Sequence, residues 1–350
     1  MVATPVLKRI KIKSSKVIYN VEIGYKTYLD FTDDSFFIVD KNLFKYSHIR
    51  KFNINNRKII KINPNEKVKE FSEISKVINK LIKIGIKKKS TLYVIGGGIL
   101  QDIGGFISSI LFRGINWKFI PTTLLSQGDS CIGSKTSINF KEYKNQIGTF
   151  YPPSEIKIDL NFLKSLKKKD ILSGLGEISH YIIIGGNKSF NLLENELRKK
   201  NLDYNKIIYA SLNIKKSYIE KDEFDKNIRN ILNYGHTFGH AIESATNYKI
   251  PHGVAVAIGI DISNFFSLKY NLMSNKLRLR IQKTLKKIYN KIDKKSIDIK
   301  KVMKAIQNDK KANKNHINLI ICVKFGKMII KKVKLDNKFI TILKSYFENL

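Results

Sequence analysis

The run TLYVI at 91–95 leads straight into Gly96, Gly97 and Gly98, and an apolar pattern at helical spacing follows over 102–111. A short, continuous apolar run reads as a strand buried on both faces. Glycines let the chain turn sharply and leave backbone N–H groups open at the start of the next helix, where a phosphate can sit. This strand, turn and helix constrain the fold most, because flanking segments repeat the plan. FFIVD at 36–40 ends on Asp40, WKFI at 117–120 stops at Pro121, and a helical pattern covers 66–84. Alternating strands and helices build a parallel sheet with helices on its faces. Residues 1–160 are therefore expected to form an α/β, Rossmann-like nucleotide-binding domain. The glycines alone are a weak signal. Gln101 stands where the last glycine of Gly-x-Gly-x-x-Gly would fall, and a tight turn without a ligand explains them equally well. Asp40 and Asn42 are placed to reach a ribose hydroxyl or, more simply, to cap a helix.

Beyond residue 160 helical periodicity dominates, over 161–166, 172–184, 192–199, 206–220, 230–245, 255–268, 275–292 and 300–306, with a strand or hairpin at 318–323. Residues 161–350 are expected to form a mostly α-helical domain that binds metal and substrate. No internal repeat or low-complexity linker interrupts the chain.

Composition narrows the function classes. The formal charge is +36, but its lysines run from Lys8 to Lys344 among isoleucines and asparagines, without a basic tail or interleaved aromatics. Nucleic-acid binding is not expected from that pattern; attraction of anionic substrates is. Cys131 and Cys322 are far apart and unpatterned, as in a reducing compartment. No apolar run reaches signal-peptide length at the start, and none approaches the roughly 18 residues of a membrane span. A soluble cytoplasmic protein without a membrane partner is expected.

Three of the six histidines, His236, His240 and His252, fall within residues 236–252. Neutral imidazole is the commonest protein ligand for zinc and the usual proton shuttle near neutral pH. His236 and His240 are four apart and share a helix face, while Thr237 rules out the His-Glu-x-x-His pattern. Glu177, a carboxylate in an apolar helical stretch, needs a partner if buried and is the best upstream candidate for a further ligand. Spacing leaves open which histidines bind metal and which move protons. Arg229 lies seven residues before His236, two turns if the helix is continuous, which would place both on one face. Arg113, Lys135, Lys144, Asn145 and Lys215 are further candidates for anion binding. A metal, a nucleotide loop and several cations together suggest redox or elimination chemistry on a phosphorylated substrate.

The ordered motifs GGGILQDIGGF (96–106), Arg113-Gly114, PTTLLSQGDS (121–130), GSKT (133–136), KNQIGTF (144–150), Asp222-Glu223, RNILNYGHTFGHA (229–241), His252-Gly253 and DKK (309–311) resemble 3-dehydroquinate synthases and the wider sugar-phosphate cyclases. The resemblance runs from about residue 40 to 311. It implies zinc or cobalt on Glu177, His236 and His252, with His240 beside the substrate phosphate as a proton-transfer group. It implies NAD held by Asp40, Asn42, Glu66, Lys69, Gly97, Gly98, Ile99, Asp102, Thr122, Thr123, Lys135, Lys144, Phe162 and Ser165. It places Lys135, Asn145, Asn233 and one of Lys310 and Lys311 on substrate hydroxyls and phosphate, Lys215 and Arg229 on its carboxylate, and Asp129 among the catalytic residues. Arg113 would serve the phosphate site across a homodimer interface. The implied reaction converts a seven-carbon sugar acid phosphate to 3-dehydroquinate with release of phosphate, NAD being used and regenerated.

The chain departs from the family pattern in places. GEISH at 176–180 carries His180 where the family has a substrate-facing lysine, Val254 follows His252-Gly253 where the family has glutamate, and Ser134 replaces a glycine before Lys135. These changes bear on the substrate. A cyclase acting on another sugar phosphate, for polysaccharide or cyclitol synthesis, is the alternative, followed by a metal-dependent polyol dehydrogenase and, from another class, a non-catalytic nucleic-acid binder. Retention of Lys215 and Arg229 favours a carboxylated substrate.

Overall fold

The computed structural model describes residues 7–25, 31–46, 58–141, 143–293, 297–308 and 315–348. Its contacts divide the chain into two units, Met1–Leu166 with Ile219–Phe224, and Lys167–Tyr218 with Asp225–Leu350.

The first unit is built on a seven-stranded sheet. Its strands are β1 (Lys8–Lys13), β2 (Ile18–Gly24), β3 (Ser35–Asp40), β4 (Ile59–Ile62), β5 (Thr91–Gly96), β6 (Asn116–Pro121) and, after the separate hairpin of β7 (Lys135–Phe140) and β8 (Tyr143–Phe150), β9 (Glu155–Asp159). The spatial order is β1-β2-β9-β6-β5-β3-β4, and every neighbouring pair except β1–β2 is parallel. Strands β3 and β5 are apolar almost throughout because helices or loops cover both faces. In β1 only Ile10 and Ile12 point inward, alternating with Arg9, Lys11 and Lys13, and the charged residues discourage further pairing at this edge.

Helices α1 (Phe71–Lys83) and α2 (Gly98–Ile110) belong to this unit. The second starts four residues before the expected 102, so the glycines form its N-terminus itself and not a loop ahead of it. Two further glycines press α2 onto its neighbours: a Cβ on Gly104 would lie 2.2 Å from Val94, and one on Gly105 2.6 Å from Thr136. From β3 the chain goes outward to β4 and then back to β5 on the other side. The carboxyl ends of β3 and β5 thus flank the point where strand order reverses, the usual ligand crevice of an open parallel sheet.

The second unit contains α3 (Lys168–Ile184), α4 (Asn187–Glu196), α5 (Tyr204–Ile219), α6 (His236–Ala245), α7 (His252–Lys269), α8 (Asn275–Tyr289), α9 (Ile299–Gln307), the hairpin β10 (His316–Lys324) and β11 (Lys327–Lys334), and α10 (Asn337–Glu348). Residues 253–267 of α7 are all buried, as expected of a helix apolar on every side. Asp261 at its centre accepts bonds from the Tyr289 and Tyr346 hydroxyls at 2.8 and 2.9 Å and from the Gln282 amide at 3.0 Å, tying α8 and α10 to it. The expected α/β domain and helical domain are both present.

One expectation fails. The chain over 230–245 is not one helix: a 3-10 segment, Ile228–Asn233, ends at Tyr234, and Gly235 turns left-handed at φ +83° before α6 begins. Close packing explains the break, since a Cβ on Gly235 would meet Ile260 at 2.6 Å and the Val256 carbonyl at 2.9 Å. The argument that Arg229 and His236 share one helix face therefore falls. Arg229 is buried, on the 3-10 segment.

Candidate functional site

The first unit gathers the expected nucleotide residues at the carboxyl ends of its strands. Asp40 ends β3 and does cap the following 3-10 turn, accepting from the Asn42 backbone N–H at 2.8 Å. Burial raises its carboxyl above the usual range, against the pull of that bond. Gly97 and Gly98 open α2, with Ile99 in its first turn. A Cβ on Gly97 would lie 3.1 Å from Thr123. The Thr122 N–H joins the ends of β5 and β6 through the Gly96 carbonyl at 3.0 Å. Gln101 exchanges hydrogen bonds with Ser130 at 2.6 and 2.7 Å, which fixes the π-helical turn carrying Asp129. That bond accounts for a long polar residue where the fingerprint would have glycine.

Lys69 is buried and donates to Asp102 at 2.8 Å and to Asn145 at 2.6 Å, while Asn139 donates to Glu66 at 2.9 Å. Four expected site residues thus meet in one network, with Asn145 in a left-handed conformation at φ +55°. Burial raises the Asp102 carboxyl, and Lys69 opposes it. Lys135 and Lys144 are exposed on the β7–β8 hairpin, and Arg113 is exposed at φ +61°. Phe162 is wholly buried among Phe37, Tyr93 and Ile95, so only its backbone can meet a cofactor; Ser165, nearby, bonds to its carbonyl at 2.7 Å.

The second unit brings α3, α6 and α7 together around Glu177. This carboxylate is 3% exposed. One oxygen lies 3.3 Å from His236 Nε2 and the other 3.2 Å from His252 Nε2. Burial works against its charge, but His236, then His252 and His180, outweigh it and hold the carboxyl well below the usual range. Burial likewise opposes a charge on His252, and Glu177 with Glu243 outweighs it, so His252 stands well above the usual imidazole range. Two ligands about 2.1 Å from one zinc ion at the tetrahedral angle lie roughly 3.4 Å apart. The observed spacings match that edge, and a carboxylate with two imidazoles is a donor set for zinc or cobalt. A divalent cation would satisfy the same buried charge with both imidazoles neutral.

The ring nitrogens of His236, His240 and His252 also lie within 4.8 Å of one another. His240 keeps an exposed edge and lines a cavity of about 320 Å³ with Thr237, Ala241, Ser244, Ala305 and Asn308. Crowding by protein, then His236 and His252, pushes its imidazole down to about 4. It is therefore uncharged across the neutral range.

His180 is fully buried, with Nδ1 3.6 Å from Glu177 and its ring edge-on to His236 at 5.1 Å. Lys215 is buried with its ammonium 5.8 Å from the Tyr181 ring centroid. Asn233 closes the 3-10 segment, donating to the Asn230 carbonyl at 3.1 Å. Lys310 and Lys311 lie outside the described residues. Sequence reasoning missed Glu243, whose carboxylate is 2.9 Å from His252 Nδ1 and orients that ring. Its spacing of three and seven residues from His240 and His236 on α6 was the available signal.

The chain matches the 3-dehydroquinate synthase N-terminal family over residues 59–173 and the corresponding C-terminal family over residues 174–312. It is 37% identical over 349 residues to a 3-dehydroquinate synthase of Dictyoglomus thermophilum, covering 96% of this chain and 97% of that one. The chain belongs to the 3-dehydroquinate synthase family.

Solved structures share the fold. A 2-deoxy-scyllo-inosose synthase, solved with carbaglucose-6-phosphate, NAD+ and Co2+, superposes with a TM-score of 0.86 at 22% identity, covering 98% of this chain and all of that one. A 2-epi-5-epi-valiolone synthase of Streptomyces hygroscopicus, solved with NAD+ and Zn2+, gives 0.78 at 20% identity over 90% and 91% of the two chains. Among the described residues no helix is long and apolar enough to cross a membrane.

Proposed function

We propose that this chain is a phosphate-eliminating carbon–oxygen lyase that converts 3-deoxy-D-arabino-heptulosonate 7-phosphate to 3-dehydroquinate in the shikimate pathway. The observation that carries the assignment is the buried Glu177 carboxylate meeting His236 and His252 through its two oxygens, in a chain of this family. Glu177, His236 and His252 would hold a divalent cation, zinc or cobalt. Residues of the first unit, from Asp40 and Asn42 through Glu66, Lys69, Gly97, Gly98 and Asp102 to Thr122, Thr123 and Lys144, would hold NAD. When bound, the cation polarises a substrate hydroxyl and NAD accepts and returns a hydride, so NAD is not consumed.

The protein's own part is orientation and charge. Lys215 and Arg229, both buried cations, receive the carboxylate. Lys135, Asn145, Asn233 and one of Lys310 and Lys311 hold hydroxyls and phosphate, with Arg113 completing the phosphate site from a second subunit of a homodimer. His240, uncharged at neutral pH, stands beside the substrate phosphate and helps proton transfer as phosphate leaves. Asp129 and His180 complete the surroundings of the substrate. The free, buried Cys131 and Cys322 support a cytoplasmic location.

Purified protein with NAD, zinc and the heptulosonate phosphate should release inorganic phosphate without accumulating NADH. Release only from sedoheptulose 7-phosphate or glucose 6-phosphate would replace this substrate with another. That second possibility is favoured by one feature, the buried His180 where the family carries lysine. Exchanging His180→Lys separates the two: turnover of the heptulosonate phosphate rises if His180 merely stands in for the lysine, and falls if the site is built for another sugar. NADH formed in proportion to substrate would instead indicate a polyol dehydrogenase.

A further inference from the structure

The turn before Lys135 is held by a carboxylate from far along the chain. Gly133 and Ser134 are both left-handed, at φ +111° and +65°. Glycine takes that conformation freely, whereas a serine there needs support from its surroundings. Ser134 is 7% exposed, and its hydroxyl donates to Glu223 at 2.9 Å. The same carboxylate accepts from the Ser14 hydroxyl at 2.5 Å and the Ser15 N–H at 2.7 Å. Neighbours of Glu223 are fixed as well: Glu220 accepts from the Lys13 N–H at 2.8 Å, and the Phe224 ring packs edge-on to Phe150 at 5.1 Å. The Lys135 N–H then bonds back to the Gly133 carbonyl at 2.8 Å, so the geometry of this turn sets the direction in which Lys135 leaves it.

We infer that Glu223, acting through Ser134, is a positioning residue for Lys135. Glu223 touches no substrate in this scheme. It compensates the strained serine and keeps the lysine aimed. The inference rests on the assignment of Lys135 to the phosphorylated substrate.

A double-mutant cycle on the full-length, metal- and NAD-loaded enzyme tests it. Ser134→Ala keeps the strained side chain and removes its bond, so KM for the heptulosonate phosphate should rise about tenfold while kcat changes little. Ser134→Gly relaxes the backbone and should recover part of that loss; it carries the same cycle if the alanine variant does not fold. Combined with Lys135→Ala, either change should add nothing to the KM of Lys135→Ala alone, because both act through one side chain. A merely structural role would instead multiply the two effects, and that result overturns the inference while leaving Lys135 in place. An unchanged KM in Lys135→Ala removes the assignment of Lys135 and the inference with it.

Discussion

Gly253 sits where α3 and α7 touch by backbone, directly after His252. A Cβ at this position would lie 1.8 Å from the Ser173 carbonyl oxygen and 2.9 Å from the Glu177 backbone nitrogen. Replacing it, as Gly253→Ala, sets two effects against each other. Alanine gains about 1 kcal/mol over glycine in a helix. Against that, ordinary contact begins near 3.4 Å, so the helices must separate by about 1.6 Å at this point. The obstructing atom is a backbone carbonyl and cannot swing away, which puts the overpacking cost at the upper end of its range, about 3 kcal/mol. The net loss is about 2 kcal/mol, a fall of roughly 3 °C in Tm for a chain of 350 residues. The larger consequence is at the metal candidates. Passed on in full, the separation would widen the 3.2 Å spacing of Glu177 and His252 to about 4.8 Å, far beyond the roughly 0.2 Å tolerance of a metal–ligand distance. Zinc affinity, measured by competition with a chromogenic chelator, should fall at least about tenfold. A Gly253→Ala protein that binds zinc like the wild type and melts no lower would refute the claim that this crossing builds the site.

His236→Ala should abolish stoichiometric zinc, measured by elemental analysis after dialysis, whereas His240→Ala should retain zinc and lose turnover. Equal loss of metal in both would add His240 to the ligand set. Asp261→Ala leaves the Tyr289, Tyr346 and Gln282 donors without their buried acceptor and should cost about 3 kcal/mol in urea unfolding at pH 7; an unshifted midpoint would contradict that. Acid should weaken the fold through Glu22 and Glu155. Burial opposes their charge, but Lys157 at 2.6 and 2.8 Å, with Arg9 on Glu22 and Lys118 on Glu155, outweighs it and lowers both carboxyls below 4.5. Their contribution is present above the unfolded value and is lost as pH falls through the lower folded values. Lys157→Met should therefore flatten the stability profile below about pH 4.5, and an unchanged slope would show that the cluster contributes nothing.

The parallel strands were legible because strands buried on both faces must be continuously apolar, as in SFFIVD and TLYVIG. Strands β1 and β2 were not, since each presents one face to solvent and KRIKIK reads as a lysine-rich surface. The hairpin was hidden for a stronger reason: most of YKNQIGTF is exposed and carries no apolar alternation. Apolar periodicity continued through 230–245, so it could not reveal that Gly235 breaks the helix; that break comes from contact with α7, a tertiary cause. At the site, residue types pointed to metal chemistry. An apolar helical context marked Glu177 as a candidate ligand, but spacing could not pair it with particular histidines; the pairing with His236 and His252 came with the resemblance.

The glycines carry information that the histidines alone did not. Gly176 precedes Glu177, Gly235 precedes His236, Gly239 precedes His240, and Gly253 follows His252. Each lies at a close approach between helices: Gly176 against the Gly253 carbonyl, Gly239 against Val256, and Gly235 against Val256 and Ile260, with Gly259 facing it from α7. Helices that meet by backbone hold neighbouring side chains at fixed, short separations, because no intervening side chain can adjust the gap. Residues far apart in sequence are thereby held within 3.3 Å before any ion binds. The buried charge of Glu177 makes that proximity unfavourable unless compensated, which a protonated His252 does and a bound cation would do in its place. A glycine beside each ligand candidate is thus the sequence trace of helices packed closely enough to share one ion.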